Sequence, residues 1–174
     1  MKNYLKMTLI VAMTIPMLLF LSSCDKDDEQ KEETTYRGSF KLTYNAYDDL
    51  LSVANIEISY YDENGELRSE FITKDEWKKD ITYKKLPTNT GFKITYTIKE
   101  QLPSDKTVFN LRCTYKGSVN VLQGETDNII ASQIFDKGNA SKGVKAQDVE
   151  KFLKSYKVNL LYQIKDKEVI VVSE

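Results

Sequence analysis

The chain has 174 residues, with 25 basic and 26 acidic side chains, two cysteines and no histidine. The absence of histidine removes the usual general base of serine and cysteine hydrolases and the commonest ligand of catalytic zinc, so we predict no enzyme, no metal site and no cofactor. Bases and acids are interspersed along the chain without the basic stripe that neutralises phosphates, and nucleic acid is therefore not an expected partner.

The first 23 residues have the pattern of an export signal. Lys2 and Lys6 are the only charged side chains in this segment, and the run from Met7 to Leu21 carries none. Because that run is shorter than the ~20 apolar residues that span a bilayer, it is typical of a secretory signal rather than of an anchor. We predict that residues 1–23 are a cleaved signal peptide.

The signal ends in Leu21-Ser22-Ser23-Cys24. This sequence resembles the lipobox of bacterial lipoproteins, in which a branched apolar residue and two small residues precede the modified cysteine. The resemblance implies that Leu21, Ser22 and Ser23 are recognised by the signal peptidase, that the Cys24 thiol carries a diacylglycerol, and that the new amino group receives a further acyl chain. Two or more chains hold a protein firmly on a membrane. The alternative is that Cys24 is an ordinary residue following a transmembrane helix, although Pro16 interrupts that run.

An acidic segment follows, and with Cys24 we assign it to a flexible tether over residues 24–35. The stretch from Asp25 to Glu33 contains six acids, two bases and no apolar residue, a composition that cannot bury enough surface to fold. Within it, Lys26-Asp27-Asp28-Glu29 resembles the export signal of Bacteroidota lipoproteins. This resemblance implies an outer-membrane lipoprotein exposed at the cell surface. The alternatives are a generic acidic linker and a periplasm-facing anchor.

The remaining residues, 36–174, have the length of a single domain. Once two bases of the signal and the two bases and six acids of the tether are set aside, 21 bases and 20 acids remain, so the body is nearly neutral. Cys113 then has no partner for an intrachain disulfide. Its neighbours Phe109, Leu111 and Tyr115 share its face of a predicted strand, which indicates a buried, unreactive thiol.

Alternation of apolar and polar residues is the dominant pattern of the body. From Tyr36 to Tyr44 it places Phe40, Leu42 and Tyr44 on one face, and from Gly91 to Ile98 it does the same for Phe92, Ile94, Tyr96 and Ile98. Such alternation predicts strands of an antiparallel sheet with one buried face.

The segment from Ala54 to Ile72 predicts a hairpin. Asn64-Gly65 at its centre favours a two-residue type I′ turn. That turn would pair Glu63 with Glu66, Tyr60 with Ser69 and Ile58 with Phe71, so that Ile56, Ile58 and Tyr60 share the buried face with Leu67 and Phe71. In the same register Tyr61 points outward, opposite Arg68.

Further strands are predicted at Lys79–Lys85, Val108–Tyr115, Val119–Leu122 and Asn128–Phe135. Between Val144 and Tyr156 the spacing of Val149, Phe152, Leu153 and Tyr156 is typical of one short amphipathic helix. A last hairpin joins Lys157–Ile164 to Val169–Val172. Together these elements predict an all-β fold, an antiparallel β-sandwich that is immunoglobulin-like or related, with one short helix near the C-terminus.

A surface-tethered, non-catalytic binding module for a glycan or protein ligand is the leading functional hypothesis. Its candidate contacts are three aromatic residues expected off the core face, Tyr47, Tyr61 and Trp77. The alternative is a structural or accessory subunit of a cell-surface or fimbria-like assembly, in which the apolar segment Val169–Val172 is either a central strand or an edge awaiting a partner. Carboxylate chemistry at Asp48-Asp49 or Asp62-Glu63 is the least favoured reading, because acids in turns usually form local hydrogen bonds. The oligomeric state is left open.

Overall fold

A computed structural model of the chain describes residues 34–173. The predicted signal peptide, the lipobox with Cys24, and nearly all of the acidic tether, including Lys26 to Glu29, lie outside these residues. The described residues form two antiparallel sheets with a short helix near the C-terminus, so the predicted β-sandwich is confirmed. Its elements are β1 (Tyr36–Asp48), α1 (Leu50–Val53), β2 (Ala54–Tyr61), β3 (Leu67–Ile72), β4 (Glu76–Tyr83), β5 (Thr88–Ile98), β6 (Val108–Gln123), β7 (Asn128–Lys145), α2 (Val149–Ser155), β8 (Val158–Ile164) and β9 (Val169–Ser173).

The strands divide between the two sheets in a non-sequential order. One sheet has four strands in the order β4-β1-β6-β7, and the other has five in the order β3-β2-β5-β8-β9. Strands β4 and β7 are therefore the edges of the first sheet, and β3 and β9 are the edges of the second. The apolar segment near the C-terminus, β9, is an edge strand rather than a central one.

The core lies between the two inner faces. Phe40, Leu42 and Tyr44 on β1, which the alternation placed together, are at most 1% exposed. Cys113 on β6 is buried as predicted, and its Sγ atom accepts a hydrogen bond from the Tyr96 hydroxyl at 3.4 Å. No helix among the described residues is long and apolar enough to cross a membrane.

The predicted elements differ from the observed ones mainly in their boundaries. The two short strands predicted between Val108 and Leu122 form one continuous strand, β6, and β7 extends beyond Phe135 to Lys145. The helix consequently starts later than Val144. A short 3-10 turn over Ala146–Asp148 leads into α2, whose apolar side is buried.

The β2–β3 hairpin has a different register from the one predicted. Ser69 lies opposite Ser59 rather than Tyr60, and Tyr61 lies opposite Leu67 rather than Arg68. A one-residue slip moves every side chain of a strand to the other face. On β3 the side chains of Leu67 and Phe71 are accordingly 63% and 69% exposed, and Ile72 is buried. The predicted pairs Glu63–Glu66 and Ile58–Phe71 are also wrong.

The turn that joins these strands explains the slip. The backbone N–H of Gly65 donates to the carbonyl of Asp62, and the N–H of Asp62 donates to the carbonyl of Glu66. Gly65 adopts φ +78°, so the loop is a turn followed by a glycine bulge rather than a two-residue turn. The Asp62 carboxylate accepts the N–H groups of Asn64 and Glu66, which fixes this longer loop.

Candidate functional site

A notch on the outer face of the five-stranded sheet is the candidate site. Tyr61 at the end of β2 and Leu161 on β8 stand on either side of Gly91 in β5, which pairs with Leu161. A cavity of about 220 Å³ lies on this face, and Tyr61, Leu67 and Leu161 are among its lining residues. The shifted hairpin register places Leu67 beside Tyr61 at this rim.

The backbone around the notch is closely fixed. A Cβ atom at Gly91 would lie 2.1 Å from the carbonyl oxygen of Leu160, so only glycine allows β5 and β8 to approach here. The hydroxyl of buried Tyr83 donates to the carbonyl of Tyr61 at 2.9 Å and lies 2.7 Å from the hydroxyl of Thr90. Burial raises the pKa of Tyr83 to about 12, which keeps this donor protonated.

Polar side chains surround the apolar walls of the notch. Ser59, Lys93 and Asn159 line it. The Ser59 hydroxyl lies 2.8 Å from that of Ser69, and the Asn159 amide donates to Ser173 at 3.4 Å. Lys93 forms no ion pair with another residue in the described part of the chain. An apolar wall with a few convergent polar groups is the usual composition of a small-molecule site.

Tyr47, another predicted contact, lies on the other sheet. It is 37% exposed near the end of β1, opposite Arg112 of β6. The Arg112 guanidinium lies 4.6 Å from the centre of the Tyr47 ring, and the Tyr47 hydroxyl lies 3.4 Å from that of Thr114. One face of this ring is therefore already covered by a cation.

Trp77, the third predicted contact, belongs to a cluster that closes one side of the sandwich. It pairs with Tyr44 on the inward side of β4, and its ring packs against Tyr60 with centroids 5.8 Å apart. The indole N–H donates to the Glu70 carboxylate at 2.9 Å, and the Lys79 ammonium contacts the same carboxylate at 2.6 Å. The structure thus separates Tyr47, Tyr61 and Trp77, and only Tyr61 lines the notch.

The Glu70 carboxylate is one of the links between the two sheets in this cluster. Hydrogen bonds from Lys79 and then from Tyr60 hold its pKa at about 2, below the ordinary value of 4.5. Sequence reasoning missed Glu70, because it lies on an inner position of β3 where an apolar residue is expected. The opposite charges of Glu70 and Lys79, which lie on consecutive strands, could have indicated this contact from the sequence.

A second, larger cleft has no aromatic side chain among its lining residues. Its volume is about 550 Å³, and it is lined by Glu63, Asn64, Thr82, Lys84, Lys85, Pro87 and Thr88.

Asp49 and Asp62, one acid from each adjacent pair of the sequence, form hydrogen bonds within the fold. Asp49 contacts the Lys106 ammonium at 2.5 Å and accepts the N–H of Asn110, and Asp62 accepts from its own turn and from Arg68 at 2.8 Å. Among residues 34–173 there is no group of three or more acids and cysteines that could hold a metal ion.

The position of Glu70 predicts a defined pH dependence of stability. Because its pKa is lower in the folded state, its stabilising effect is complete at neutral pH and is lost as the pH falls from about 4.5 to about 2. We expect Glu70→Gln to lower the free energy of unfolding by about 1 kcal/mol at pH 7, a modest value because solvent screens a partly exposed group, and to have little effect near pH 2.

Urea denaturation of both proteins across this pH range measures the difference. Glu76→Gln is the control, because Glu76 forms an exposed pair with Lys78 on its own strand, and we expect it to change stability by less than about 0.5 kcal/mol. A Glu70→Gln effect that is the same at neutral and at acidic pH would contradict this account.

No protein-family model matches the chain, and no curated protein or solved structure is significantly similar to it.

Proposed function

We propose that this chain is an outer-membrane lipoprotein, anchored through Cys24 with its body at the cell surface, and that the body is a non-catalytic module that binds a glycan. The anchor is supported by the sequence Leu21-Ser22-Ser23-Cys24 and by the Lys26–Glu29 run that follows it. The binding activity is supported by the notch beside Tyr61. The two parts are independent and are tested separately.

One observation carries the glycan assignment: an aromatic ring and several hydrogen-bonding side chains converge on a single gap. A sugar ring presents an apolar C–H face, which packs against an aromatic ring, and a rim of hydroxyls that need partners. Tyr61 supplies the ring, and its hydroxyl has no partner among the described residues. Ser59, Lys93 and Asn159 supply donors and acceptors.

The size of the notch limits what it holds. At about 220 Å³ it is smaller than the ~300–1,000 Å³ typical of sites for drug-sized ligands. It therefore accommodates one sugar residue of a longer chain, with the remainder of the ligand lying across the sheet. The exposed side chains of Leu67 and Phe71 lie along the same edge of this face and would extend the contact to an alternative ligand, an extended segment of protein.

The second candidate function, a subunit of a surface assembly, is favoured by the position of β9. This strand is an edge of its sheet, and its Val171 and Val172 side chains are exposed. Exposed edge strands are templates for pairing with another chain.

Substitution of Tyr61 tests the binding site. We expect the soluble body, residues 34–174, to bind a subset of glycans on an array, and Tyr61→Ala to weaken the best of these about tenfold in calorimetric titration, equivalent to ~1.4 kcal/mol. Tyr47→Ala removes an exposed tyrosine on the other sheet and should leave affinity unchanged. Absence of glycan binding, or equal affinities of Tyr61→Ala and the unmodified body, would disprove the assignment.

Substitution of Cys24 tests the anchor. In cells fed a labelled fatty acid, Cys24→Ala should abolish lipid labelling and release the chain from the membrane fraction, since the acyl chains provide the membrane affinity. Cys113→Ala removes the other cysteine, which is buried in the core, and should keep both properties. Unchanged labelling of the Cys24→Ala chain would contradict the lipobox interpretation.

A further inference from the structure

Lys93 is a cation at the centre of the sheet face that carries the notch. Its strand, β5, is the middle strand of the five-stranded sheet, and Lys93 lies opposite Ser59 of β2 on one side and Asn159 of β8 on the other. The acid of β2, Glu57, lies opposite Thr95 instead. Because Lys93 is exposed and has no ion pair within residues 34–173, its charge is available to a ligand in the notch.

The charge of Lys93 distinguishes it from the neutral polar groups of the notch. A hydroxyl or an amide both donates and accepts hydrogen bonds, which suits the hydroxyls of a neutral sugar. An ammonium only donates, and it carries a full positive charge. Its hydrogen bonds to an anionic oxygen are roughly twice as strong as those between neutral groups. The notch therefore combines contacts that suit any sugar with one contact that favours an acidic sugar.

The larger cleft contributes two further lysines. Lys84 and Lys85 line this cavity of about 550 Å³, and both residues are exposed. Neither forms an ion pair in the part of the chain that the structure describes. Glu63 is the one acid among the described residues of the lining, and Thr82 and Thr88 add hydroxyl groups. The cleft thus has an excess of positive charge and groups that can bind an anion.

The notch and the cleft adjoin the same turn. Tyr61 and Leu67, which line the notch, are the strand residues on either side of the β2–β3 turn, and Glu63 within that turn lines the cleft. Along β5, the step from Thr88 in the cleft to Lys93 in the notch covers about 17 Å, at ~3.4 Å per residue. A short oligosaccharide spans that distance, so one ligand can occupy both cavities.

Resting on the proposed glycan-binding function, we propose that the ligand is an acidic oligosaccharide, whose carboxylate or sulfate groups pair with Lys93 in the notch and with Lys84 and Lys85 in the cleft. One sugar ring packs against Tyr61, and the lysines select for the acidic groups. A neutral glycan would leave these three lysines without an anionic partner. Complementary charge of this kind determines specificity more than it determines affinity.

An array of matched oligosaccharides tests the proposal. Each sugar sequence is presented in a neutral, a carboxylated and a sulfated form, and the full chain is added in vesicles of phosphatidylcholine, which carry neither sugar nor net charge. We expect the carboxylated or the sulfated form to bind at least tenfold more tightly than the neutral form, and the better of the two identifies the acidic group. This preference should decrease as salt is added, because ions screen exposed charges.

Substitution of the lysines tests their role. Lys93→Gln, and the double change of Lys84 and Lys85 to glutamine, should each reduce the preference for the acidic form at least threefold, because glutamine keeps a hydrogen-bonding group and loses the charge. Glu63→Gln removes the acid of the cleft and should increase the preference. Lys116→Gln is the matched control, since Lys116 is an exposed lysine on β6 of the other sheet, and it should leave the preference unchanged. Equal urea midpoints would confirm that every variant retains the fold.

The possible failures of the two proposals differ. If neutral glycans bind as tightly as their acidic forms and Tyr61→Ala weakens them, the acidic ligand is wrong and the glycan-binding function stands. A preference for acidic forms that persists in both lysine variants would also overturn the inference. If no glycan on the array binds in any form, the proposed function is wrong, and the inference that rests on it is wrong as well.

Discussion

The hydrogen bonds of the Asp62 carboxylate determine which side of β3 faces the core. This carboxylate accepts two backbone N–H groups of its own turn and the guanidinium of Arg68, and the Arg68 hydrogen bond holds its pKa below the ordinary value. The turn that it stabilises sets Tyr61 opposite Leu67. If the hairpin had the two-residue turn that Asn64-Gly65 suggests, Leu67 and Phe71 would enter the core and the notch would lose one of its walls.

The same register creates the cluster at the side of the sandwich. It turns Arg68, Glu70 and Ile72 of β3 toward the inner side, so that a carboxylate lies where a core strand would carry an apolar residue. Lys79, Trp77 and Tyr60 satisfy that carboxylate. A charge at the margin of a core is tolerated only when it is paired and hydrogen-bonded in this way. The side of the sandwich between β3 and β4 is thereby closed by polar contacts.

Much of the architecture could be predicted from alternation alone. The predictions for the inward residues of β1 and β5, for the burial of Cys113 and for the final hairpin of β8 and β9 agree with the structure. Alternation identifies the buried face of a strand wherever only one face packs against the core. The register of β3 could not be predicted. Leu67 and Phe71 face outward although they are apolar, whereas the charged Glu70 faces inward, next to the buried Ile72, and pairs with Lys79 of β4. The sequence pattern of β3 does not show that Lys79 lies beside it.

The candidate site was also only partly predictable from the sequence. The sequence indicated Tyr61 as an outward aromatic residue, which is its position, but it paired Tyr61 with Arg68 rather than Leu67. It could not place Gly91 beside Tyr61, because the two residues are brought together only by pairing of β2 with β5. Trp77 was expected among exposed charges, and its contact with Tyr60 depends on packing between the sheets. The length of β7 beyond Phe135 was also missed, because the apolar residues of the predicted strand end at Phe135 while its pairing with β6 continues to Lys145.

The β2–β3 register turns Tyr61 and Leu67 outward together. Cross-strand nuclear Overhauser contacts in the isotope-labelled body, residues 34–174, measure this register directly. We expect direct pairing of Ser59 with Ser69 and of Tyr61 with Leu67. Direct pairing of Tyr60 with Ser69 and of Ile58 with Phe71 would contradict it, and with it the notch on which the proposed binding site depends.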